Sequence, residues 1–186
     1  MKILFIRHGL TAGNLEKRYI GSTDEPLCDE GVSQLRTLNI ISCDTVICSP
    51  MKRCIQTAEI LFPNSEYQIS DGLRECDFGD FEGRNYMELS DNADYQKWID
   101  SGGTLPFPNG EAPADFRRRC AEAFETAVKA NAGADSIAFV VHGGTIMSIL
   151  ERYAVPHRDY FDFHCENAHG YVCRWNGSEI IITETI

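Results

Sequence analysis

No apolar run in this 186-residue sequence is long enough to cross a membrane. A spanning helix needs about 20 predominantly apolar residues, whereas the N-terminal run, residues 2–6, ends at Arg7. That run is also too short for the core of a secretory signal peptide. We therefore expect a cytoplasmic protein that has no membrane as a partner.

Positive charge is scarce as well. The chain has 17 lysines and arginines against 28 aspartates and glutamates, and its formal net charge is −11 at pH 7. This balance argues against a broad surface for nucleic acid or anionic lipid. Repeats and low-complexity tracts are also missing, so the length favours one globular domain over residues 1–186.

Paired cysteine motifs are missing although the sequence has eight cysteines. No Cys-x-x-Cys occurs, and several cysteines fall in apolar patterns, where a thiol acts as a small apolar group. The segment from His164 to His169 offers two or three metal ligands. Because nothing else has zinc-site spacing, we expect reduced thiols, no metal and no cofactor.

Strand-like and helix-like patterns alternate along the chain. An N-cap serine and an N1 proline, Ser49 and Pro50, open the second predicted helix, which ends at Pro63. The predicted order is strand 2–6, helix 31–39, strand 45–48, that second helix, strand 67–70, an irregular helical region, helix 114–130, strand 137–141, helix 145–153, and a hairpin of strands 171–175 and 179–183. This order predicts a three-layer α/β/α sandwich whose mainly parallel sheet has antiparallel edge strands.

Two of the predicted strands end in a histidine followed by glycine. The first leads into Arg7-His8-Gly9, and the strand at 137–141 leads into His142-Gly143-Gly144. Ligands bind at the carboxyl ends of strands in open α/β sheets. A single histidine there is more often a packed or capping residue. Two matched units instead predict one pocket in which two imidazoles face each other.

Arginines add positive charge to the predicted pocket. Arg53 lies in the first turn of the helix after Ser49-Pro50, and a helix N-terminus attracts anions. Its alternative role is a surface arginine that pairs with Glu59 or with solvent. If Arg7 and Arg53 converge, their donors match the oxygens of a phosphoryl group.

Four motifs in order resemble the histidine phosphatase, or phosphoglycerate mutase-like, superfamily, and the resemblance covers about residues 1–175. The motifs are Arg7-His8-Gly9-x-Thr11-x-x-Asn14, Ser49-Pro50-x-x-Arg53-x-x-x-Thr57, Leu73-x-Glu75-x-x-Phe78-Gly79-x-x-Glu82-Gly83 and His142-Gly143-Gly144. Any one of them is a weak signal, whereas all four in family order are specific.

The resemblance implies that His8 is the nucleophile that accepts the phosphoryl group. Arg7, Arg53 and His142 then hold the transferred oxygens, as the electrostatics of phosphoryl transfer require. Asn14 and the backbone after His8 add neutral donors, and Gly143 leaves room for the phosphate.

Glu75 matches the family's proton donor, and Asp77 is the alternative. Because Asp77, Asp80 and Glu82 crowd the same loop, we expect neighbouring carboxylates to raise the pKa of Glu75.

The loop after Glu75 favours the phosphatase branch. Phosphoglycerate mutases of the family typically have Arg-His-Tyr where this chain has Cys76-Asp77-Phe78, and a negative Asp77 would repel a second anionic group. The α-ribazole phosphatases of cobalamin assembly are similar in size and in this motif.

The resemblance thus predicts a metal-independent phosphomonoesterase for a small phosphorylated metabolite, α-ribazole 5′-phosphate being one candidate. The predicted substrate-binding residues are Thr11, Arg18, Ile20 and Gly21. A cofactor-dependent phosphoglycerate mutase and a non-catalytic phosphate-binding module are the alternatives. The sequence does not indicate an oligomeric state.

Overall fold

The computed structural model describes residues 1–40 and 42–186. Its strands are β1 (Lys2–Arg7), β2 (Thr45–Cys48), β3 (Tyr67–Ile69), β4 (Ser136–Val141), β5 (Gly170–Trp175) and β6 (Ile180–Thr185). They form a 6-stranded sheet in the order β3-β2-β4-β1-β5-β6. The first four strands pair in parallel, whereas β5 is antiparallel to both β1 and β6. The predicted mixed sheet is confirmed.

Helices cover both faces of this sheet because consecutive strand residues point to opposite faces. Ile3 and Phe5 of β1 pack on the side of the helices at Pro113–Ala130 and Gly143–Tyr153. Leu4 and Ile6 pack on the side of the helix at Lys52–Leu61, which in turn contacts the helix at Asp29–Thr37. The predicted three-layer sandwich is confirmed. The helices are α1 (Ala12–Leu15), α2 (Asp29–Thr37), α3 (Lys52–Leu61), α4 (Ala93–Asp100), α5 (Pro113–Ala130) and α6 (Gly143–Tyr153).

Short 3-10 helices lie at Asp71–Leu73, Gly79–Phe81 and Tyr160–Phe163. In the described part of the chain, no helix combines the length and the apolar character that a membrane crossing requires.

The structure corrects three predicted helix starts. Helix α2 begins at Asp29 rather than at residue 31. Met51, not Ser49, occupies the N-cap of α3, and the Ser49 hydroxyl instead lies 2.8 Å from His142 Nε2. Helix α6 begins at Gly143, directly after His142, rather than at residue 145. Glycine has a low helix propensity, but the first turn of α6 tolerates both glycines.

The core between the sheet and α5 is centred on Phe5, Phe124 and Phe139, all of which are fully buried. The ring centroids of Phe124 and Phe139 lie 5.4 Å apart, and those of Phe5 and Phe124 lie 5.9 Å apart. This cluster packs α5 against β1 and β4, the two strands that lead into the predicted site.

We expect Phe124→Ala to lower the free energy of unfolding by about 3–5 kcal/mol, because it leaves a cavity in a packed core. The matched control is Phe161→Ala. Since Phe161 is 66% exposed, its truncation should change the stability by less than about 1 kcal/mol. Urea denaturation measures both variants, and equal losses would contradict this description of the core.

Candidate active site

Strands β1 and β4 bring His8 and His142 to the same edge of the sheet. Arg7 pairs with Val141 in the parallel register of these neighbouring strands. Both strands end at this pair, and the residue that follows each strand is His8 or His142. Their ring centroids lie 5.2 Å apart at an interplanar angle of 67°, and both side chains are buried. The structure thus brings together the two imidazoles that the sequence pattern paired.

His8 is oriented by its own loop. Its Nδ1 lies 2.7 Å from the carbonyl oxygen of Gly9, an arrangement in which Nδ1–H donates and Nε2 keeps a free electron pair. Burial, and then the charges of Arg53 and Arg7, hold the pKa of His8 well below its ordinary value. The imidazole is therefore neutral near pH 7, as a nucleophile must be.

His142 is also kept neutral. Burial lowers its pKa most, followed by the charges of Arg53, His8 and Arg7. The Ser49 hydroxyl shares a hydrogen bond with Nε2. Neutral His142 can donate a hydrogen bond to a phosphate oxygen or accept one from a protonated oxygen.

Arg53 is fully buried on α3 and is held by backbone carbonyls. Its terminal nitrogens donate to the carbonyl oxygens of Thr23 at 2.8 Å, Gly21 at 2.9 Å and Ile20 at 3.5 Å. Its Nε is buried and has no hydrogen-bond partner among the described residues. The surface alternative for Arg53 is therefore wrong.

Arg7 has the same pattern. One terminal nitrogen donates to the carbonyl oxygen of Cys165 at 2.8 Å, whereas Nε is buried and has no partner in the described part of the chain. Gly143 lies directly beside it, since a Cβ at position 143 would be 3.4 Å from Arg7 Nε. Buried polar groups are normally hydrogen-bonded. Two unpaired guanidinium N–H groups beside two neutral histidines therefore form a site suited to an anion.

The carboxylate of Glu75 is held by two backbone N–H groups. Cys76 donates to Oε1 and Gly144, in the first turn of α6, donates to Oε2, both at 3.0 Å. Burial raises the pKa of Glu75, while these hydrogen bonds and the charges of Arg53 and Arg7 oppose that rise. Glu75 can therefore alternate between acid and carboxylate in the same place.

The cause that we predicted for the raised pKa of Glu75 is wrong, because the neighbouring carboxylates have other partners. Asp77 accepts from the N–H of Gly79 at 2.9 Å and from the hydroxyl of Ser22. Asp80 accepts from the side chain of Asn109. The raising effect comes from burial instead.

Glu82 organises the loop that holds Arg53. Its carboxylate accepts from the N–H groups of Gly21 at 3.0 Å and Ser22 at 2.8 Å and from the hydroxyl of Thr23 at 2.8 Å. A Cβ at position 21 would overlap the carbonyl oxygen of Cys76. Only glycine therefore lets this loop approach the Glu75 loop so closely.

Asn14 is oriented by its neighbours. Its Oδ1 accepts from the N–H of Thr11 at 3.3 Å and from the side chain of Asn167 at 3.0 Å. The side-chain NH2 of Asn14 is thus the end that remains for an anion. The Thr11 hydroxyl in turn accepts from the N–H of Asn14 and caps α1.

The four residues predicted to bind substrate make contacts within the protein. Arg18 forms ion pairs with Glu16 and Glu88, both at 2.6 Å, and also donates to the carbonyl oxygen of Gly83. Thr11 is a buried helix cap. Ile20 and Gly21 use their carbonyl groups to hold Arg53. Direct substrate contact by Thr11 and Arg18 stays a prediction.

The segment from His164 to His169, which sequence reasoning singled out for metal ligands, supports the histidine loop instead. Asn167 donates from Nδ2 to the carbonyl oxygen of His8 at 3.1 Å, and the N–H of Ala168 donates to the same oxygen at 3.2 Å. No group of three or more His, Cys, Asp or Glu side chains among the described residues could hold a metal ion. Neither Asn167 nor Ser49 was recognised from the sequence as a contact of the histidines.

A cavity of about 260 Å³ lies beside Arg7, Glu75, Gly143 and Gly144. Its wall includes a group of aromatic side chains, those of Tyr19, Phe78, Trp98, Phe107, Phe116 and Tyr160. The leaving group of a bound phosphate ester can lie in this cavity, next to Glu75.

The family model for the histidine phosphatase superfamily (branch 1) matches residues 3–185. The chain belongs to this superfamily. The resemblance seen in the four motifs is confirmed. Members similar to this chain include an adenosylcobalamin/alpha-ribazole phosphatase of Salmonella typhimurium, 28% identical over 89% of this chain and 86% of that protein.

Another member is a broad-specificity phosphatase of Saccharomyces cerevisiae, 32% identical over 81% of this chain and 69% of that protein. Among solved structures, the alpha-ribazole phosphatase of Shigella flexneri has the same fold. Its TM-score is 0.88 at 24% identity, and the match covers 98% of this chain and 95% of that one. The Salmonella and Saccharomyces relatives are phosphatases by name, in agreement with the predicted class of phosphoric monoester hydrolase.

Gly144→Ala tests the arrangement of Glu75 in this histidine phosphatase site. A Cβ at position 144 would overlap Glu75 Oε1 and lie 3.0 Å from the Phe116 ring. The carboxylate must then move, and we expect phosphatase turnover to fall about 10²-fold, as for other misplacements near 1 Å.

The control for this variant is Gly133→Ala, since a Cβ at position 133 meets nothing within 4 Å. Steady-state phosphate release measures both variants. Wild-type turnover in Gly144→Ala would show that the position of Glu75 does not matter.

Proposed function

We propose that this protein is a metal-independent phosphomonoesterase that hydrolyses a small phosphorylated metabolite through a phosphohistidine at His8. The observation that carries the proposal is the pair of guanidinium groups of Arg7 and Arg53 beside a neutral His8, each with a buried Nε that has no hydrogen-bond partner among the described residues. Their charges stabilise the negative charge of the phosphoryl group, as metal ions do in metal-dependent phosphatases. The proton carrier is Glu75.

In the first step Nε2 of His8 attacks phosphorus, and the bond from phosphorus to the ester oxygen breaks. Protonated Glu75 gives its proton to the departing oxygen. Arg7, Arg53 and His142 hold the other three oxygens while negative charge redistributes, and the amide of Asn14 adds a neutral donor.

In the second step the Glu75 carboxylate takes a proton from water as the water oxygen attacks phosphorus. The bond from phosphorus to nitrogen breaks and returns its electron pair to Nε2 of His8. Inorganic phosphate leaves, and Glu75 is again protonated. The two N–H groups that hold Glu75 at 3.0 Å keep its carboxyl group in one place for both proton transfers.

Glu75 is favoured over Asp77 as the proton carrier. The Asp77 carboxylate is committed to Gly79 and Ser22 in its own turn. Glu75 instead interacts with Arg7 and Arg53 and lines the aromatic cavity.

The aromatic cavity supports an ester with a flat ring in its leaving group. Aromatic walls bind such rings by stacking and by burial of apolar area. The leaving group of α-ribazole 5′-phosphate contains a benzimidazole ring, and α-ribazole phosphatases are among the similar proteins. We therefore propose α-ribazole 5′-phosphate as the first candidate substrate.

The alternative of a phosphoglycerate mutase needs a cation for a second anionic group. Beyond Arg7, the cavity wall contains Arg117, but this arginine pairs with Glu151 at 3.0 Å and stacks on Tyr160. The alternative of a non-catalytic module is disfavoured because His8, His142 and Glu75 are all present in reactive surroundings.

A panel of phosphate esters tests the proposed substrate class. We expect kcat/KM for α-ribazole 5′-phosphate to exceed that for 3-phosphoglycerate at least about tenfold, because the ring fills the aromatic cavity. Phosphate release should need no bisphosphorylated primer and should be unchanged by EDTA. Isomerisation of phosphoglycerates that depends on such a primer would establish the mutase alternative instead.

Glu75→Gln tests the proton transfer. Turnover of an alkyl ester such as α-ribazole 5′-phosphate should fall about 10²–10⁴-fold, because its leaving oxygen needs a proton. The leaving group of p-nitrophenyl phosphate needs none, so a burst of p-nitrophenol should remain and a slow steady rate should follow. In the wild type, kcat/KM for the alkyl ester should fall as pH rises through the raised pKa of Glu75, where the acid is lost.

Asp77→Asn is the matched control for Glu75→Gln, and stopped-flow absorbance follows the burst. We expect the control to keep both ester activities within about threefold of wild type, since its carboxylate caps a turn. A substrate-selective loss in Asp77→Asn, without one in Glu75→Gln, would transfer the role to Asp77.

A further inference from the structure

Arg119, on α5, uses every donor of its guanidinium group within one network. Nε and one terminal nitrogen donate to the two carboxylate oxygens of Glu111, at 2.7 and 2.8 Å. The terminal nitrogens also donate to the carbonyl oxygens of Gly72 at 3.1 Å, Arg74 at 2.8 Å and Glu75 at 2.9 Å. An arginine has five N–H donors in a fixed plane, so this one has none left for substrate.

The carbonyl groups that Arg119 holds belong to the chain that leads into Glu75 and to Glu75 itself. This chain leaves a 3-10 helix at Leu73 and continues as an irregular loop, in which no regular ladder of hydrogen bonds fixes the backbone. The bidentate pair with Glu111 fixes the plane of the guanidinium. The side chains of Arg119 and Glu111 are 28% and 19% exposed, so solvent screens the pair only in part.

Phe116, one turn earlier on α5, connects the same guanidinium to the other support of Glu75. The guanidinium carbon of Arg119 lies 5.0 Å from the centroid of the Phe116 ring. The edge of that ring lies against Gly144, where a Cβ would be 3.0 Å from it. Gly144 donates the N–H that holds Glu75 Oε2. One turn of α5 thus supports both the backbone and the carboxylate of Glu75.

We propose that Arg119, fixed by Glu111, is the positioning residue that sets the place of the Glu75 carboxyl group relative to the departing oxygen. The proposal rests on the proton-transfer role proposed above for Glu75. A lysine could keep the charge at this position but not the planar set of five donors. With three donors in place of five, it would lose at least two of these five hydrogen bonds.

Arg119→Lys tests this role, and the adjacent Arg118→Lys is its matched control. Arg118 is an exposed residue of α5 that pairs with Asp115 and Glu122. We expect Arg119→Lys to lower kcat for α-ribazole 5′-phosphate by about 10–100-fold, because Glu75 moves from its place. Phosphorylation of His8 by p-nitrophenyl phosphate needs no acid, so its burst rate should stay within about threefold of wild type. Arg118→Lys should match the wild type on both substrates.

A second variant keeps Arg119 and removes its partner. Glu111→Ala should show the same selective loss with the alkyl ester, and circular dichroism with thermal denaturation verifies the fold of each variant. A loss in the p-nitrophenol burst rate equal to the loss in alkyl-ester kcat would show that Arg119 maintains the whole site rather than Glu75, and would overturn the proposal. Unchanged kcat in both variants would overturn it as well.

Glu75→Gln, measured in the same series, separates the two claims. If Glu75→Gln lowers alkyl-ester turnover selectively, and Arg119→Lys and Glu111→Ala do not, only the role of Arg119 fails. If Glu75→Gln itself shows no difference between the two esters, the proton-transfer role fails, and the role of Arg119 fails with it.

Discussion

The burial of one charged N–H group on each of two arginines is the constraint on which this site depends. The Nε atoms of Arg7 and Arg53 are buried and have no hydrogen-bond partner within residues 1–40 and 42–186, and a buried, charged donor without an acceptor is unfavourable until an anion fills the position. The same charges help to keep His8 and His142 neutral. They also oppose the effect of burial on Glu75. In the proposed mechanism, one source of positive potential thus provides phosphate affinity, a free nucleophile and a carboxyl group that can change its protonation state.

The surrounding structure maintains this arrangement through backbone groups rather than through further charges. Carbonyl oxygens of the loop at residues 20–23 accept hydrogen bonds from Arg53. The N–H groups of the same loop donate to the carboxylate of Glu82, which holds the loop in place. The parallel pairing of β1 and β4 fixes the separation of the two histidines. Phosphoryl transfer depends on position and electrostatics more than on covalent chemistry by the protein. A site built from rigid backbone supports suits that requirement.

The sequence allowed prediction of the sheet, its layers and the two histidines, because these follow from local patterns that end in distinctive residues. The supports were not predictable, because each joins distant parts of the chain. Asn167 contacts His8 across 159 positions, and Ser49 contacts His142 across 93. The start of α6 at Gly143 was not predicted, because two glycines follow His142. The N–H of Gly144 in this first turn donates to Glu75. The crowded carboxylates of the Glu75 loop were misinterpreted because the sequence does not show which N–H or hydroxyl each one accepts from.

The proposed covalent mechanism can be tested by identifying which nitrogen of His8 carries the phosphoryl group. Because Nδ1 donates to the carbonyl oxygen of Gly9 at 2.7 Å, only Nε2 has an electron pair available for phosphorus. Wild-type protein mixed with p-nitrophenyl phosphate and quenched in alkali can be examined by phosphorus NMR and by peptide mass spectrometry. We expect a phosphohistidine at His8, on Nε2. Phosphate on Nδ1, on His142 or on no residue of the chain would contradict it.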